Sequence, residues 1–254
     1  MKAIQRILAA LTVVLIAAGP QAHAAPSPAQ KANIILVHGA LIDGSSWRGV
    51  YDVLTRDGYH VRIVQQPLTG LDEDVAATRR VLDQVDGPVV LVGHSYGGAV
   101  ISVAGNDPKV KALVYVAALQ PDVGETGADV APPMRPASEH MQVSSDGFVF
   151  LDPAKFAADY CADLPKAQAA FMAHSQMPIA GAAFKAKLTT AAWRDKPSYF
   201  IVASDDRALD PAIARSMAAR AGSKVTVLKA SHAVHMSQPR AVARVIEAAA
   251  RGVR

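Results

Sequence analysis

The fold of this chain is decided by residues 88–101, which read Pro-Val-Val-Leu-Val-Gly-His-Ser-Tyr-Gly-Gly-Ala-Val-Ile. The run Val89–Val92 has no polar alternation, so it predicts a buried strand. A G-x-S-x-G motif centred on Ser95 follows directly, and the small and aliphatic residues after it favour a helix. A strand, a serine between glycines and a helix, in that order, indicate a nucleophile elbow.

A nucleophile elbow makes specific demands on Ser95 and its neighbours. The serine must lie in a sharp, strained turn, and glycine on both sides allows backbone to approach without a Cβ clash. The following helix directs N–H groups and its positive dipole end towards the serine, where an oxyanion would form. The alternative is a glycine-rich turn around an ordinary serine, and the strand and helix on either side favour the elbow.

Strand and helix patterns alternate outward from this motif. Short apolar runs predict strands, and apolar residues at helical spacing predict helices. The expected strands are 33–37, 59–64, 89–92, 110–117, 198–202 and 224–228, and the expected helices are 47–55, 72–84, 211–221 and 239–251. This alternation predicts an α/β protein with a doubly wound, mostly parallel sheet.

The alternation stops between residues 120 and 194, a proline-rich stretch with helical patterns at 153–162, 164–174 and 180–191. This stretch follows a predicted strand, so we expect a small helical lid over the carboxyl edge of the sheet, where open α/β sheets bind ligands. The alternative is a peripheral helical excursion without contact to the site. The apolar side chains of residues 120–194 favour the lid and an apolar pocket beneath it. The residues expected to contact substrate are Phe148, Phe171, Met172 and Met177.

A serine nucleophile needs a base and an orienting acid. His232 and His235 follow the strand at 224–228, and His232 comes four residues after its last residue. We expect His232 to be the base and His235 to begin a turn, with its ring hydrogen-bonded or half exposed. Three aspartates follow strands and are candidates for the acid: Asp122, Asp205 and Asp206.

Two N–H groups are expected to bind the oxyanion. One belongs to Tyr96, directly after the serine, and the other belongs to the loop after the strand at 33–37, where Ala40 is the natural candidate. His38 and His94 also adjoin the site. They lie in loops unsuited to the base and are expected to be hydrogen-bond partners.

Residues 1–24 have the three parts of a secretory signal peptide. Lys2 and Arg6 give a positive start, an apolar run follows, and Ala22-His23-Ala24 forms a cleavage site. The apolar run is short for a bilayer span, which needs about 20 residues. We therefore expect a mature chain of residues 25–254 in the periplasm or secreted, with no membrane association after cleavage.

Composition narrows the class of ligand. The formal charge is +4 without a basic block, so nothing favours nucleic acid as a partner. The single cysteine, Cys161, rules out an intramolecular disulfide, and we expect it to fill the core. No spacing of cysteine or histidine fits a zinc site. The expected partner is a small-molecule substrate, with neither metal nor cofactor.

Taken jointly, four segments resemble the α/β-hydrolase superfamily, and within it the compact esterase branch of plant methylesterases and hydroxynitrile lyases. They are Val37–Ala40 with Ser46-Trp47, Gly93–Gly98, Ser204–Arg207, and Ser231-His232 with Pro239 seven residues later. The resemblance covers nearly the whole mature chain, and the insertion matches least. It implies a triad of Ser95, Asp206 and His232, with the N–H groups of Ala40 and Tyr96 as the oxyanion hole.

The activity expected from this resemblance is hydrolysis of a carboxylic ester through an acyl-enzyme. Hydroxynitrile lyases of this branch have a threonine in the first loop, where this chain reads Ala40-Leu41, which favours hydrolysis. A perhydrolase or a C–C hydrolase would share the triad. A binding protein on the same fold is the alternative from another class.

Overall fold

The computed structural model describes residues 31–132 and 137–253, so the predicted signal peptide at 1–24 lies outside the described residues. A six-stranded sheet organises the described chain. In sequence order its strands are β1 (Asn33–Val37), β2 (Val61–Val64), β3 (Val89–His94), β4 (Val110–Val116), β8 (Ser198–Ala203) and β9 (Lys224–Leu228). They are ordered β2-β1-β3-β4-β8-β9, and every neighbouring pair is parallel.

Helices cover both faces of this sheet, as predicted for a doubly wound fold. On β1, Ile34 faces a core shared with the helices on one side, and Ile35 faces the core on the other. This alternation follows from the two-residue period of a strand. The helices are α1 (Arg48–Arg56), α2 (Leu71–Leu82), α3 (Gly97–Ala104), α4 (Gly127–Val130), α5 (Pro153–Tyr160), α6 (Lys166–His174), α7 (Pro211–Arg220), α8 (Val234–Ser237) and α9 (Pro239–Arg251).

The predicted strands and long helices are confirmed, with ends shifted by one or two residues. The start of α7 shows why the local sequence fixes such an end. The Asp210 carboxylate accepts a hydrogen bond from the Ala212 N–H, and Pro211 occupies the first helical position. Cys161 is buried, as expected of a core residue.

The inserted stretch, residues 120–194, departs from the expected all-helical lid. It contains α4, α5 and α6, but also an antiparallel sheet of β5 (Met141–Val143), β6 (Phe148–Leu151) and β7 (Ile179–Ala180). The helix predicted at 180–191 is wrong, because this segment pairs with β6 and then forms a 3-10 helix at Gly181–Lys185. The turn before β6 ends at Gly147, whose φ of 85° favours glycine.

Among the described residues, none of the helices has both the length and the apolar character that a membrane crossing requires.

Candidate active site

Ser95 lies at the end of β3 in a strained turn. Its φ is 52°, in the left-handed region that serine rarely adopts. The flanking glycines are required by close packing: a Cβ on Gly93 would lie 2.5 Å from the Gly97 carbonyl oxygen, and one on Gly97 would lie 2.6 Å from the His38 oxygen. The motif therefore forms the predicted elbow, with Ser95 partly exposed directly before α3.

A chain of two hydrogen bonds joins Ser95 to His232 and Asp206. The Ser95 hydroxyl donates to His232 Nε2 at 2.8 Å, and His232 Nδ1–H donates to Asp206 Oδ2 at 2.7 Å. The carboxylate therefore selects the imidazole tautomer in which Nε2 is free to accept the serine proton. This arrangement can move a proton away from Ser95 Oγ.

Among the three candidate aspartates, Asp206 is the one that contacts His232. Its second oxygen, Oδ1, accepts the N–H groups of Ala208 at 2.8 Å and Leu209 at 2.9 Å, so the buried carboxylate is fully hydrogen-bonded. Asp205 is exposed and accepts from the Ser204 hydroxyl. Asp122 pairs with Arg194 at 2.6 Å.

Two neighbouring histidines act as hydrogen-bond partners, as the sequence predicted. His94 Nε2–H donates to the backbone oxygen of His232 at 3.0 Å, which holds the loop that carries the base. His38 Nδ1–H donates to the Gly39 oxygen at 2.9 Å, and its Nε2 accepts the Gln66 N–H at 3.0 Å. Burial lowers the pKa of both histidines, so both rings stay neutral.

The loop after β1 passes directly against Ser95. A Cβ on Gly39 would lie 2.7 Å from Ser95 Cβ, so this loop brings the backbone of Ala40 next to the elbow. Within the described residues, the N–H groups of Ala40 and Tyr96 have no hydrogen-bond acceptor. Two such free donors on either side of a serine are what an oxyanion hole requires.

The side chain of Tyr96 fixes the start of α3. Its hydroxyl donates to Asp74 Oδ2 at 2.8 Å, and Asp74 Oδ1 accepts the Leu68 N–H at 2.8 Å. Burial raises the pKa of the Asp74 carboxyl, and its hydrogen bonds to Tyr96 and Leu68 oppose that shift. Asp74 thereby ties the residue after the serine to α2.

His235 differs from its prediction. It was expected to be hydrogen-bonded or half exposed, but it is fully buried. Neither of its ring nitrogens has a partner among the described residues. The ring packs on His94 at 4.1 Å and on Trp47 at 4.6 Å between centroids. Burial lowers its pKa to about 3, with smaller contributions from His232 and His38.

The four residues predicted to contact substrate have different environments. Phe171 is 72% exposed, so the expectation that it lines a pocket is not met. Met172 is buried in the core, and Phe148 is half-buried. Met177 contacts the loop after β1, since its N–H donates to the Leu41 oxygen at 3.3 Å. Phe184, another apolar residue of the insertion, meets the Tyr96 ring at 5.5 Å between centroids.

In the part of the chain that the structure describes, no group of three or more histidine, cysteine, aspartate or glutamate side chains is placed to hold a metal ion.

Fold and site geometry together define an α/β hydrolase with a serine at its elbow. The sequence model of the alpha/beta hydrolase family matches residues 34–245. The chain therefore belongs to the alpha/beta hydrolase family.

Named relatives place it among the hydrolases of this family. The chain is 28% identical over 245 residues to the alpha/beta hydrolase nvfD of Aspergillus novofumigatus, covering 87% of this chain and 97% of that protein. It is 28% identical over 247 residues to a pyrethroid hydrolase of Sphingobium wenxiniae, covering 84% of this chain and 86% of that protein.

A solved structure of a related hydrolase has the same fold. The crystal structure of a pyrethroid hydrolase from Sphingobium faniae JZ-2 superposes with a TM-score of 0.74 at 25% identity, covering 87% of this chain and 97% of that one. Shorter matches include a carbendazim-hydrolyzing esterase and methylesterases. The chain is accordingly a hydrolase of this family.

Proposed function

We propose that this chain is a serine hydrolase that cleaves small carboxylic esters through an acyl-enzyme. Ser95 is the nucleophile, His232 the general base and Asp206 the orienting acid. The N–H groups of Ala40 and Tyr96 bind the oxyanion. The observation that carries the proposal is the continuous path from Ser95 Oγ to His232 Nε2 at 2.8 Å and from His232 Nδ1 to Asp206 at 2.7 Å.

In the first half of the reaction, His232 Nε2 takes the proton from Ser95 as Oγ attacks the ester carbonyl carbon. The carbonyl oxygen becomes an oxyanion between the two free N–H groups, and Asp206 stabilises the imidazolium. His232 then gives its proton to the leaving alkoxide, which departs as the alcohol. The acyl group remains on Ser95.

In the second half, water replaces the alcohol. His232 removes a proton from water, which attacks the acyl carbon, and the proton then returns to Ser95 Oγ as the acid leaves. Asp206 is suited to both halves, because it is buried and two backbone N–H groups hold its Oδ1 while Oδ2 faces His232.

The test is hydrolysis of p-nitrophenyl acetate by the wild type and by Ser95→Ala. We expect the wild type to react covalently with a fluorophosphonate probe, and Ser95→Ala to lose both labelling and turnover. Ser145→Ala, at an exposed serine in the turn before β6, is the matched control and should keep both. Turnover in Ser95→Ala equal to the wild type would refute the proposed nucleophile.

We also propose that the insertion at 120–194 sets the preference for acyl length. Its support is the position of Met177 against the loop of Ala40 and the contact of Phe184 with Tyr96. Met177→Ala should change relative rates across p-nitrophenyl esters of increasing chain length, whereas Phe171→Ala, at an exposed position, should not. A pyrethroid belongs in the panel because relatives are named pyrethroid hydrolases.

Export to the periplasm or medium is a further part of the proposal, supported by the three-part pattern at 1–24. Mass analysis of exported protein should give Ala25 as the first residue. Exported protein that begins at Met1 would contradict cleavage.

A further inference from the structure

Tyr160, the last residue of α5 in the insertion, touches the loop proposed to bind the oxyanion. Its side chain is almost fully buried, and its hydroxyl donates to the backbone oxygen of Ala40 at 3.1 Å. Burial raises the pKa of this hydroxyl well above its usual range. The hydroxyl therefore stays protonated and remains a donor at every working pH.

The same residue also contacts the base. The Tyr160 ring meets His232 edge-on at 4.8 Å between centroids, and its backbone oxygen accepts the Ala233 N–H at 3.1 Å. The ring is itself held by stacking on Phe156 at 5.0 Å. Tyr160 therefore connects the oxyanion loop to the histidine loop, although the two lie far apart in sequence.

The oxyanion loop needs to be held because it contains a strained residue. Leu41 has a φ of 67°, a left-handed conformation that leucine keeps only when its surroundings impose it. The carbonyl oxygens of Ala40 and of Leu41 itself both accept hydrogen bonds from the insertion. The Ala40 oxygen accepts from Tyr160, and the Leu41 oxygen accepts from the Met177 N–H at 3.3 Å.

We propose that Tyr160 is a positioning residue that, together with the Met177 N–H, holds the Ala40–Leu41 turn so that the Ala40 N–H faces the oxyanion. This inference rests on the proposed function. It assigns the insertion a part in the chemical step as well as in substrate choice. Tyr160 acts through Ala40 and does not itself touch the reacting atoms.

The test compares Tyr160→Phe with Tyr115→Phe. Tyr160→Phe removes only the hydroxyl and keeps the ring packing. Tyr115 is a matched control, because it is buried and its hydroxyl bonds to Ser102 at 2.8 Å, within the sheet and α3. Both variants lose one buried hydroxyl hydrogen bond, and both are checked for folding by circular dichroism.

For Tyr160→Phe we expect kcat on p-nitrophenyl acetate to fall by about 10- to 100-fold, somewhat less than the loss of a whole oxyanion donor. KM should stay within about 2-fold, because the oxyanion forms only after binding. The Ki of a trifluoromethyl ketone, whose adduct with serine places an oxyanion in the hole, should rise in parallel with the loss of kcat. Tyr115→Phe should leave all three constants unchanged.

Equal kcat and equal Ki in the two variants would overturn the positioning role while the wild type still turned over ester. Absence of turnover in the wild type, or full activity in Ser95→Ala, would instead overturn the proposed function. If Tyr160→Phe does not fold, Met177→Pro removes the other donor to the turn, and Met177→Ala controls for its side chain. The proposal then requires a lower kcat and a weaker inhibitor in Met177→Pro than in Met177→Ala, and equal values overturn it.

Discussion

His232 and His235 lie three residues apart after the same strand, yet they belong to opposite environments. His232 has a carboxylate on one ring nitrogen and the Ser95 hydroxyl on the other. His235 lies between Trp47 and His94, with no partner for either nitrogen among the described residues. Both rings are buried to nearly the same degree.

The difference shows that hydrogen-bond partners, rather than burial, decide what a histidine can do. A buried imidazole can accept a proton only where a nearby charge compensates the cation, and Asp206 provides that charge for His232. His235 has no such neighbour in its contacts and stays neutral. His94 contacts both histidines. Its ring packs on the His235 ring, and its Nε2–H donates to the backbone oxygen of His232.

The most direct test of this comparison replaces His232 and His235, each in turn, by leucine. His232→Leu should lower kcat by about 10⁵- to 10⁶-fold, because the serine loses its base while ring volume is roughly kept. His235→Leu should keep turnover within a few-fold of the wild type. Ester hydrolysis by purified proteins of matched circular dichroism checks this, and the reverse ranking would make His235 the base.

The next largest loss of kcat is expected from a substitution of the orienting acid, Asp206. Asp206→Asn should lower kcat by about 10³- to 10⁴-fold, because the amide can donate to His232 Nδ1 and select the wrong tautomer. Asp205→Asn, at the exposed neighbour, should stay near wild type. The measurement is kcat across pH for both variants. A larger loss in Asp205→Asn would transfer the role to that residue.

A smaller effect is expected at the histidine between the two environments. His94→Leu removes the donor to the His232 oxygen and should lower kcat about 10-fold, since the base is displaced but still present. KM should change little. A loss as large as that of His232→Leu would show that His94 takes part in proton transfer rather than in holding the loop.

Much of the main fold follows from the sequence because its signals are local. A short, valine-rich run such as Val89–Val92, bounded by Pro88 and Gly93, is typical of a central strand, and the glycines around Ser95 favour a close turn. The position of Asp206 came from family resemblance. The structure adds the reason, which is that its second oxygen is anchored by backbone N–H groups two and three residues onward.

The parts that sequence did not predict depend on distant contacts. The small sheet of the insertion pairs β6 with β7, about 30 residues away, through half-buried strands that carry a weak pattern. Tyr160 finds its acceptor 120 residues earlier, at Ala40. The burial of His235 is set by Trp47 and His94, so nothing in its own neighbours distinguishes it from an exposed turn residue.

The smallest expected effect is the contribution of His235 to the pH dependence of the unfolding free energy. The pKa of His235 is about 3 in the folded chain and near its ordinary value of 6.5 when unfolded. Below pH 6.5 the unfolded state therefore binds a proton that the folded state does not, and stability falls as pH decreases towards 3. Between pH 7.5 and 5.5 this one residue should cost on the order of 1 kcal/mol of unfolding free energy.

His235→Leu removes that contribution and leaves His94 and His38 in place. Urea unfolding at pH 7.5, 6.5 and 5.5 should therefore show a shallower decline for the variant, with the two curves separating by on the order of 1 kcal/mol at the acidic end. Parallel curves would mean that His235 takes up a proton in the folded state. It would then need a compensating partner, and the contrast with His232 would no longer hold.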